Sequence, residues 1–475
     1  MRPRAVDTAV FLASLVLVAL QVALMQALAE AQGHHFAYVV IALALLGFGG
    51  SGTALALLRD RALTRAERLL PGLMLWASMG CIAALPLARL AAARVDFPLL
   101  FVEWRAWGPL VLSAGLACIP FFFGALFLGL VFMRDTRDIG RLYAANLLGS
   151  AAGAAAGLGV LYWLPAERTF PLMGAVLACA ALTLAPDRGR AAACLAVLVL
   201  GAAGSWLMPG LPVSAYKPVS HALRLPGAET LVDERHPMGR VQVVQSPALR
   251  HAPGLSLNFV GEIPATGHVY VNGERLGAFL PPPASGGHIL DHGVQALPLA
   301  LAAPRRALVL HAWAGASAGL LLSRQGVTVT AVEPHPVVAD LLRTAYPSPD
   351  ALLHVISEDC RAFLGRPREP YDLILLPPLG AFGGGIGLQA QQENYLLTRE
   401  GFSALWNALP QGDGDAGMLS FCVHLDQPPR QSLRLLALAA DAMRQAGVRD
   451  PSPHVAAVRS WEMLAVAVST RPFDE

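Results

Sequence analysis

Charge is scarce in this 475-residue sequence: Asp, Glu, Lys and Arg make up 14% of it, against about 25% in an ordinary soluble chain. With 55% of residues hydrophobic and a mean hydropathy of +0.51, that shortage argues against a soluble single-domain protein and excludes a disordered chain. Lysine is almost missing: Lys217 is the only one, so the other basic residues are arginines. A net charge of +2 leaves no strongly basic surface, and no nucleic-acid partner is expected. The six cysteines are too few and scattered for a disulfide scaffold. Cys81, Cys118, Cys179 and Cys194 fall in apolar stretches, where a thiol packs as a small hydrophobe; Cys360 and Cys422 stand far apart in the remainder. Eleven of the thirteen histidines lie after about residue 210, with no metal-ligand spacing, so no metal is expected.

What the sequence has in abundance is long apolar runs, all before about residue 210. Seven candidate spans occupy 8–29, 36–58, 69–92, 108–133, 139–163, 168–186 and 191–208. At about 1.5 Å per residue, about 20 helical residues cross a hydrocarbon core of roughly 30 Å. The first five runs reach that length; the last two are shorter and are parted by Pro186 to Arg190. Eleven arginines occupy one alternating set of loops (Arg2/Arg4, Arg59/Arg61/Arg65/Arg68, Arg134/Arg137/Arg141, Arg188/Arg190), and three occupy the other (Arg94, Arg105, Arg168). The excess of positive charge on cytoplasmic loops puts the N-terminus in the cytoplasm and, after seven spans, the C-terminal part outside. Gly149, Gly153 and Gly157 recur at four-residue spacing, which suits close helix packing. No carboxylate lies mid-span, which counts against a coupled transporter.

From about 211 the sequence reads as a soluble domain. A small β-rich region spans 211–280, with Val241–Val244 and His268–Val271 as strands and Asn272-Gly273 as a hairpin turn. From 281 strands and helices alternate. Strands are expected at 307–310, 327–332, 352–356, 371–376 and 418–423, with a closing pair at 455–458 and 463–468. Helices are expected between them, one of them capped by Thr398. That alternation means a mostly parallel, Rossmann-like sheet covered on both faces, with ligands at the carboxyl ends of its strands. Gly315 follows the first strand. Glu333 ends the second, where a carboxylate can accept from both ribose hydroxyls. Asp359-Cys360 follows the third, where an acid can accept from an adenine amine while the adjacent amide reaches a ring nitrogen. The plainer alternative is that both acids are solvated loop residues.

The chain resembles the bacterial multi-pass membrane proteins of the spermidine/spermine synthase-like (aminopropyltransferase-like) family. The resemblance is carried by Phe36 to Thr53, Gly140 to Gly149, Tyr216-Lys217-Pro218, Ala252 to Asn258, Ala331-Val332-Glu333, Glu393-Asn394-Tyr395, Pro428-Pro429-Arg430 and Arg459-Ser460-Trp461. It implies a transmembrane helical domain over 1–210, the small β region, and a methyltransferase-like domain over 281–475. It also implies AdoMet or decarboxylated AdoMet as cofactor, held in part by Gly315, Glu333, Asp359 and Cys360, and the inner membrane as location.

The departures from that family are chemical. Its glycine-rich loop stands here as His311-Ala312-Trp313-Ala314-Gly315-Ala316, and the aspartate after its fourth strand is replaced within Leu376-Pro377-Pro378-Leu379. A general base must reach the attacking amine; Asp291 and Glu393 are the nearest candidates. Three readings stay open: a membrane-tethered alkyl transferase with a degenerate amine site, a non-catalytic module that binds a membrane partner, and a transporter. The loop Gly380 to Gly387 could close over a ligand.

Overall fold

The computed structural model describes the chain except for residues 1–2, 32–34, 93, 96–99, 101, 211–212, 284–286, 347–351, 380–394, 412–415, 426–427 and 474–475, and the side chains of 35–38. Its contacts divide it into two compact units, one of residues 1–215 with 235–239, the other of 216–234 with 240–475.

The first unit is helical: α1 (Pro3–Ala31), α2 (His35–Thr64), α3 (Ala66–Met79), α4 (Leu85–Ala92), α5 (Trp107–Arg134), α6 (Ile139–Val160), α7 (Ala166–Thr183) and α8 (Arg188–Leu207). A π-helical turn, Gly80–Ala84, joins α3 to α4 just before Pro86. A proline ring clashes with the carbonyl four residues earlier, and a widened turn relieves that clash. Five stretches are long and apolar enough to cross a membrane: Pro3–Ala31, Val39–Thr64, Ala66–Ala92, Trp104–Arg134 and Arg188–Leu207. The expected spans at 139–163 and 168–186 do form helices, α6 and α7, but these are not among the five. α6 is rich in Gly and Ala, which bring little apolar surface, and α7 opens with Glu167 and Arg168.

α6 nevertheless packs backbone to backbone along α1. A Cβ added to Gly149 would stand 2.3 Å from the Phe11 carbonyl oxygen, one on Gly153 2.3 Å from that of Leu15, and one on Gly157 3.0 Å from the Ala19 Cα. Both helices advance together through this register, so they run parallel. Polar links add to the packing: within the same α1–α6 pair Ser14 donates to Asn146 Oδ1 (2.8 Å), and between α3 and α7 Ser78 donates to the Gly174 carbonyl (2.6 Å). One end of the bundle is tied by charge, with Asp7–Arg141 and Glu67–Arg134 pairs at 3.3 Å. Near the opposite ends of the helices Trp104, Trp163 and Trp206 are 80%, 81% and 79% exposed.

The second unit begins with a short helix, α9 (Pro218–Ala222), and a four-stranded antiparallel sheet of β1 (Glu229–Glu234), β2 (Val241–Arg250), β3 (Ala265–Val271) and β4 (Glu274–Ala278) in that order. The β3–β4 turn uses Asn272 and Gly273 at φ +50° and +76°, the twist that two-residue hairpins favour. There follow α10 (Leu297–Leu301), β5 (Arg306–Leu310), α11 (Ala316–Leu322), β6 (Thr328–Val332), α12 (Pro336–Ala345), β7 (Leu353–Ile356), α13 (Cys360–Leu364) and β8 (Leu373–Leu379). α14 (Arg399–Asn407), β9 (Met418–His424), α15 (Gln431–Gln445), β10 (Val455–Arg459) and β11 (Met463–Ser469) complete the unit. Thr398 caps α14, accepting from the Gly401 amide at 3.0 Å.

These last seven strands form one sheet, ordered β10-β11-β9-β8-β5-β6-β7. β5 to β9 are parallel, and β11 is antiparallel to both β9 and β10. Alternate residues of β5 bury on opposite faces. Leu308 and Leu310 join Phe363, Phe402 and Leu435, while Ala307 and Val309 join Leu321 and Leu342. Helices therefore cover both faces, as the near-continuous apolar strands require. One face of the small sheet, Val241, Val243, Val269 and Val271, packs with Ala314 and Val338.

Candidate functional site

The strand order reverses at β5: β6 lies on one side of it and β8 on the other. Ligands of open α/β sheets sit at such a switch point, outside the carboxyl ends. The residues there come from the turns after β5, β6 and β7.

The turn after β5 has an alternating backbone. His311, Trp313 and Gly315 stand at φ +52°, +49° and +79°. Only glycine adopts this region without steric cost; other residues lose about 1–2 kcal/mol each. A backbone conformation suited to glycine is thus held at two positions that carry side chains. Several bonds hold it. Glu333 accepts from the Trp313 amide (2.8 Å) and, through its other oxygen, from the His335 amide (3.0 Å). Cys360 Sγ accepts from the His311 amide (3.3 Å). The Tyr346 hydroxyl donates to the Ala314 carbonyl (2.8 Å) and accepts from the Leu280 amide (3.1 Å).

Glu333 is only 4% exposed. Burial pushes its carboxyl up to about 7, against the opposing pull of the two amide bonds. Desolvation outweighs the two bonds because the carboxyl is buried away from solvent. Cys360 is buried as well, and burial raises its thiol well above the ordinary range, so it is no ready nucleophile. Asp359 is exposed and caps α13, its Oδ1 accepting from the Ala362 amide at 2.8 Å. Burial lowers His311 and Asp359 partly offsets that. Gly315 has a packing reason beyond its φ: a Cβ would lie 2.6 Å from both Leu342 Cδ2 and Tyr346 Cε2. Ala314 is buried against the small sheet.

The structure thus brings Gly315, Glu333, Asp359 and Cys360 to one end of the sheet. Asp291 stands outside that group. It accepts from the His288 amide (2.9 Å) in a reciprocal cap of the 3₁₀ turn Ile289–His292, and it pairs with the Arg324 guanidinium. Glu393 and the loop Gly380 to Gly387 lie outside the described residues. Pro377 and Pro378 belong to β8, where the pairing with β9 shifts register. Among the described residues no group of three or more His, Cys, Asp or Glu could hold a metal.

Sequence reasoning missed the left-handed His311 and Trp313. Their alignment with glycines of the resembling family was the available signal. It also missed a cavity of ≈ 780 Å³ between the small sheet and α12, lined by Val243, Phe279, Leu280, Ile289 and Leu341 among others.

No family model and no curated protein matches the chain. Solved structures that resemble it include a probable spermidine synthase from Corynebacterium glutamicum, 15% identical over 53% of this chain and 83% of its own, with a TM-score of 0.36. A SAM-dependent methyltransferase from Agrobacterium tumefaciens is 15% identical over 45% of this chain and 72% of its own, with a TM-score of 0.29. An O-methyltransferase from Bacillus cereus in complex with SAH is 13% identical over 37% and 78%, with a TM-score of 0.24.

Proposed function

We propose that the chain is a multi-pass protein of the bacterial inner membrane whose second unit is an AdoMet-type alkyl transferase, aminopropyl or methyl, with a degenerate amine site. The observation that carries this reading is the strand order. Its switch point lies at β5, and Glu333, Asp359 and the Gly315 turn all stand at the ends of β5, β6 and β7. In this reading Asp359, with an oxygen beyond the one that caps α13, accepts from the adenine amine, and the Cys360 amide region faces the ring. Glu333 fixes the turn that cradles the ribose and lies on its hydroxyl side. AdoMet or decarboxylated AdoMet is the nucleoside. Calorimetry with AdoMet, decarboxylated AdoMet and methylthioadenosine tests this; folded protein that binds none of them at millimolar concentration refutes it.

For the first unit we propose seven crossings with the N-terminus in the cytoplasm and the second unit outside. Three things support this: the parallel register of α6 on α1, the arginine-rich loops, and exposed tryptophans such as interfaces favour. A reporter fused after Glu475 tests it, and a cytoplasmic readout refutes it.

A second reading, a non-catalytic module facing a membrane partner, is favoured by two observations. Ala314 is buried under the small sheet, and Pro377-Pro378 stand where a catalytic acid would be needed. Absence of any nucleoside binding, with the second unit outside, would favour this reading over the first.

A further inference from the structure

The carboxyl end of β9 carries a polar group that the nucleoside reading does not use. His268 and Tyr270 lie on one face of β3, His251 follows β2 directly, and His424 ends β9. The His251 and His268 rings meet edge to face with centroids 5.8 Å apart; those of His268 and Tyr270 are 6.3 Å apart. His268 is 2% exposed, and its Nε2 has no hydrogen-bond partner; neither does His251 Nδ1 nor the buried Thr266 Oγ1 on the same strand. Buried polar atoms are nearly always satisfied, so the unpartnered nitrogens of two imidazoles in ring contact point to a ligand group.

The sign of the surroundings says which group. Arg275 faces Tyr270 across the β3–β4 pair, and its guanidinium, which acts on both His251 and His268, is the standing positive charge beside them. Nearby acids are engaged elsewhere: Glu462 accepts from the Gly254 amide (2.8 Å), and Glu274 pairs with Lys217 (3.4 Å). Burial first, then Arg275, lowers His251 to about 3 and His268 to about 4, so at neutral pH each imidazole is uncharged and offers one N–H. Among the described residues, an ammonium ligand would find here only carboxylates that the protein already engages. An oxyanion would find imidazole N–H donors and a guanidinium, whose bonds to anions are the strong, charge-assisted kind.

We propose that His251, His268 and Arg275 form a binding site for an oxyanion, a phosphate or carboxylate group. Arg275 is exposed and His251 half-buried, which opens the site to solvent. His424 places it at the carboxyl end of the sheet that also carries the proposed nucleoside pocket. That the anion belongs to the acceptor rests on the nucleoside reading; the oxyanion site itself does not.

The full chain in phosphatidylcholine nanodiscs is titrated calorimetrically with inorganic phosphate, acetate and putrescine, and separately with methylthioadenosine. Saturable phosphate or acetate binding is expected, weakened about tenfold or more by Arg275→Gln and also by His251→Gln, with no putrescine binding. The Arg275→Gln variant keeps its methylthioadenosine response, so failure of this site and failure of the nucleoside reading are read separately. Phosphatidate in the nanodisc competes with phosphate if the anion is a lipid headgroup and does not if it is a soluble molecule; either outcome upholds the site. Putrescine binding, no oxyanion binding, or oxyanion binding untouched by both substitutions overturns the proposal.

Discussion

The backbone amide of Trp313 donates to the Glu333 carboxylate across 2.8 Å. The bond joins the turn after β5 to the end of β6, and it holds a tryptophan in a backbone region suited to glycine. The acid proposed to lie beside a ribose therefore also fixes the turn after β5. Its other oxygen is bound to the His335 amide, so any ligand must share Glu333 with the protein's own backbone.

Glu333→Gln follows directly. An amide side chain keeps one acceptor and turns a second donor toward a backbone N–H, leaving a buried donor unsatisfied at about 1–3 kcal/mol. Thermal unfolding of the second unit, in the full chain, should shift down accordingly. A change within error would mean that the carboxylate does not hold the loop.

The pH dependence has a defined sign. The folded carboxyl lies at about 7 and its ordinary value is 4.5, so the folded state holds its proton more tightly than the unfolded one. The stability tied to that proton is complete below about 4.5 and is lost as pH rises through about 7, a fall of at most about 3 kcal/mol. Midpoints measured from pH 4 to 8 should show this slope in the wild type and lack it in Glu333→Gln. Equal slopes in both would contradict the assignment.

Positions 311 and 315 should respond in opposite directions. His311→Gly removes a left-handed side-chain penalty of about 1–2 kcal/mol and adds about 0.5–1 kcal/mol of chain entropy loss, so it should be neutral or slightly stabilising. Gly315→Ala places a Cβ 2.6 Å from Leu342 and Tyr346 at φ +79° and should cost about 2–4 kcal/mol. Differential scanning calorimetry compares the two; a stabilised Gly315→Ala would refute the described packing.

Much of this fold could be read before any coordinates. β5, β6 and β9 are short β-branched or apolar runs between turn residues, and they formed within a residue or so of expectation. Thr398 and Asn272-Gly273 acted locally, as capping and hairpin chemistry do. What could not be read was decided by distant partners. Asp291 is engaged by Arg324, and His251, His268 and His424 meet only because β2, β3 and the end of β9 converge. The positive φ of His311 and Trp313 runs against the preference of both residue types. α6 and α7 were expected as spans from their apolar runs; both formed as helices, while the five stretches long and apolar enough to cross a membrane lie elsewhere.

The α1–α6 contact gives a test within the helical unit. Gly153→Leu must push apart backbones where even a Cβ would lie 2.3 Å from the Leu15 carbonyl oxygen, so detergent-solubilised protein should lose about 2 kcal/mol or more. Gly159→Ala, whose added Cβ meets nothing within 4 Å, should be neutral. Equal behaviour of the two variants would contradict the register.

The central claim is that the carboxyl ends of β5, β6 and β7 still bind a nucleoside. Calorimetric titration of the full chain with methylthioadenosine tests it most directly, because that ligand carries the adenosine and none of the amine. The account predicts saturable binding that Asp359→Ala weakens about tenfold and that Asp291→Ala, in a protein that still folds, leaves unchanged. Folded wild-type protein giving no binding heat at millimolar ligand would contradict it.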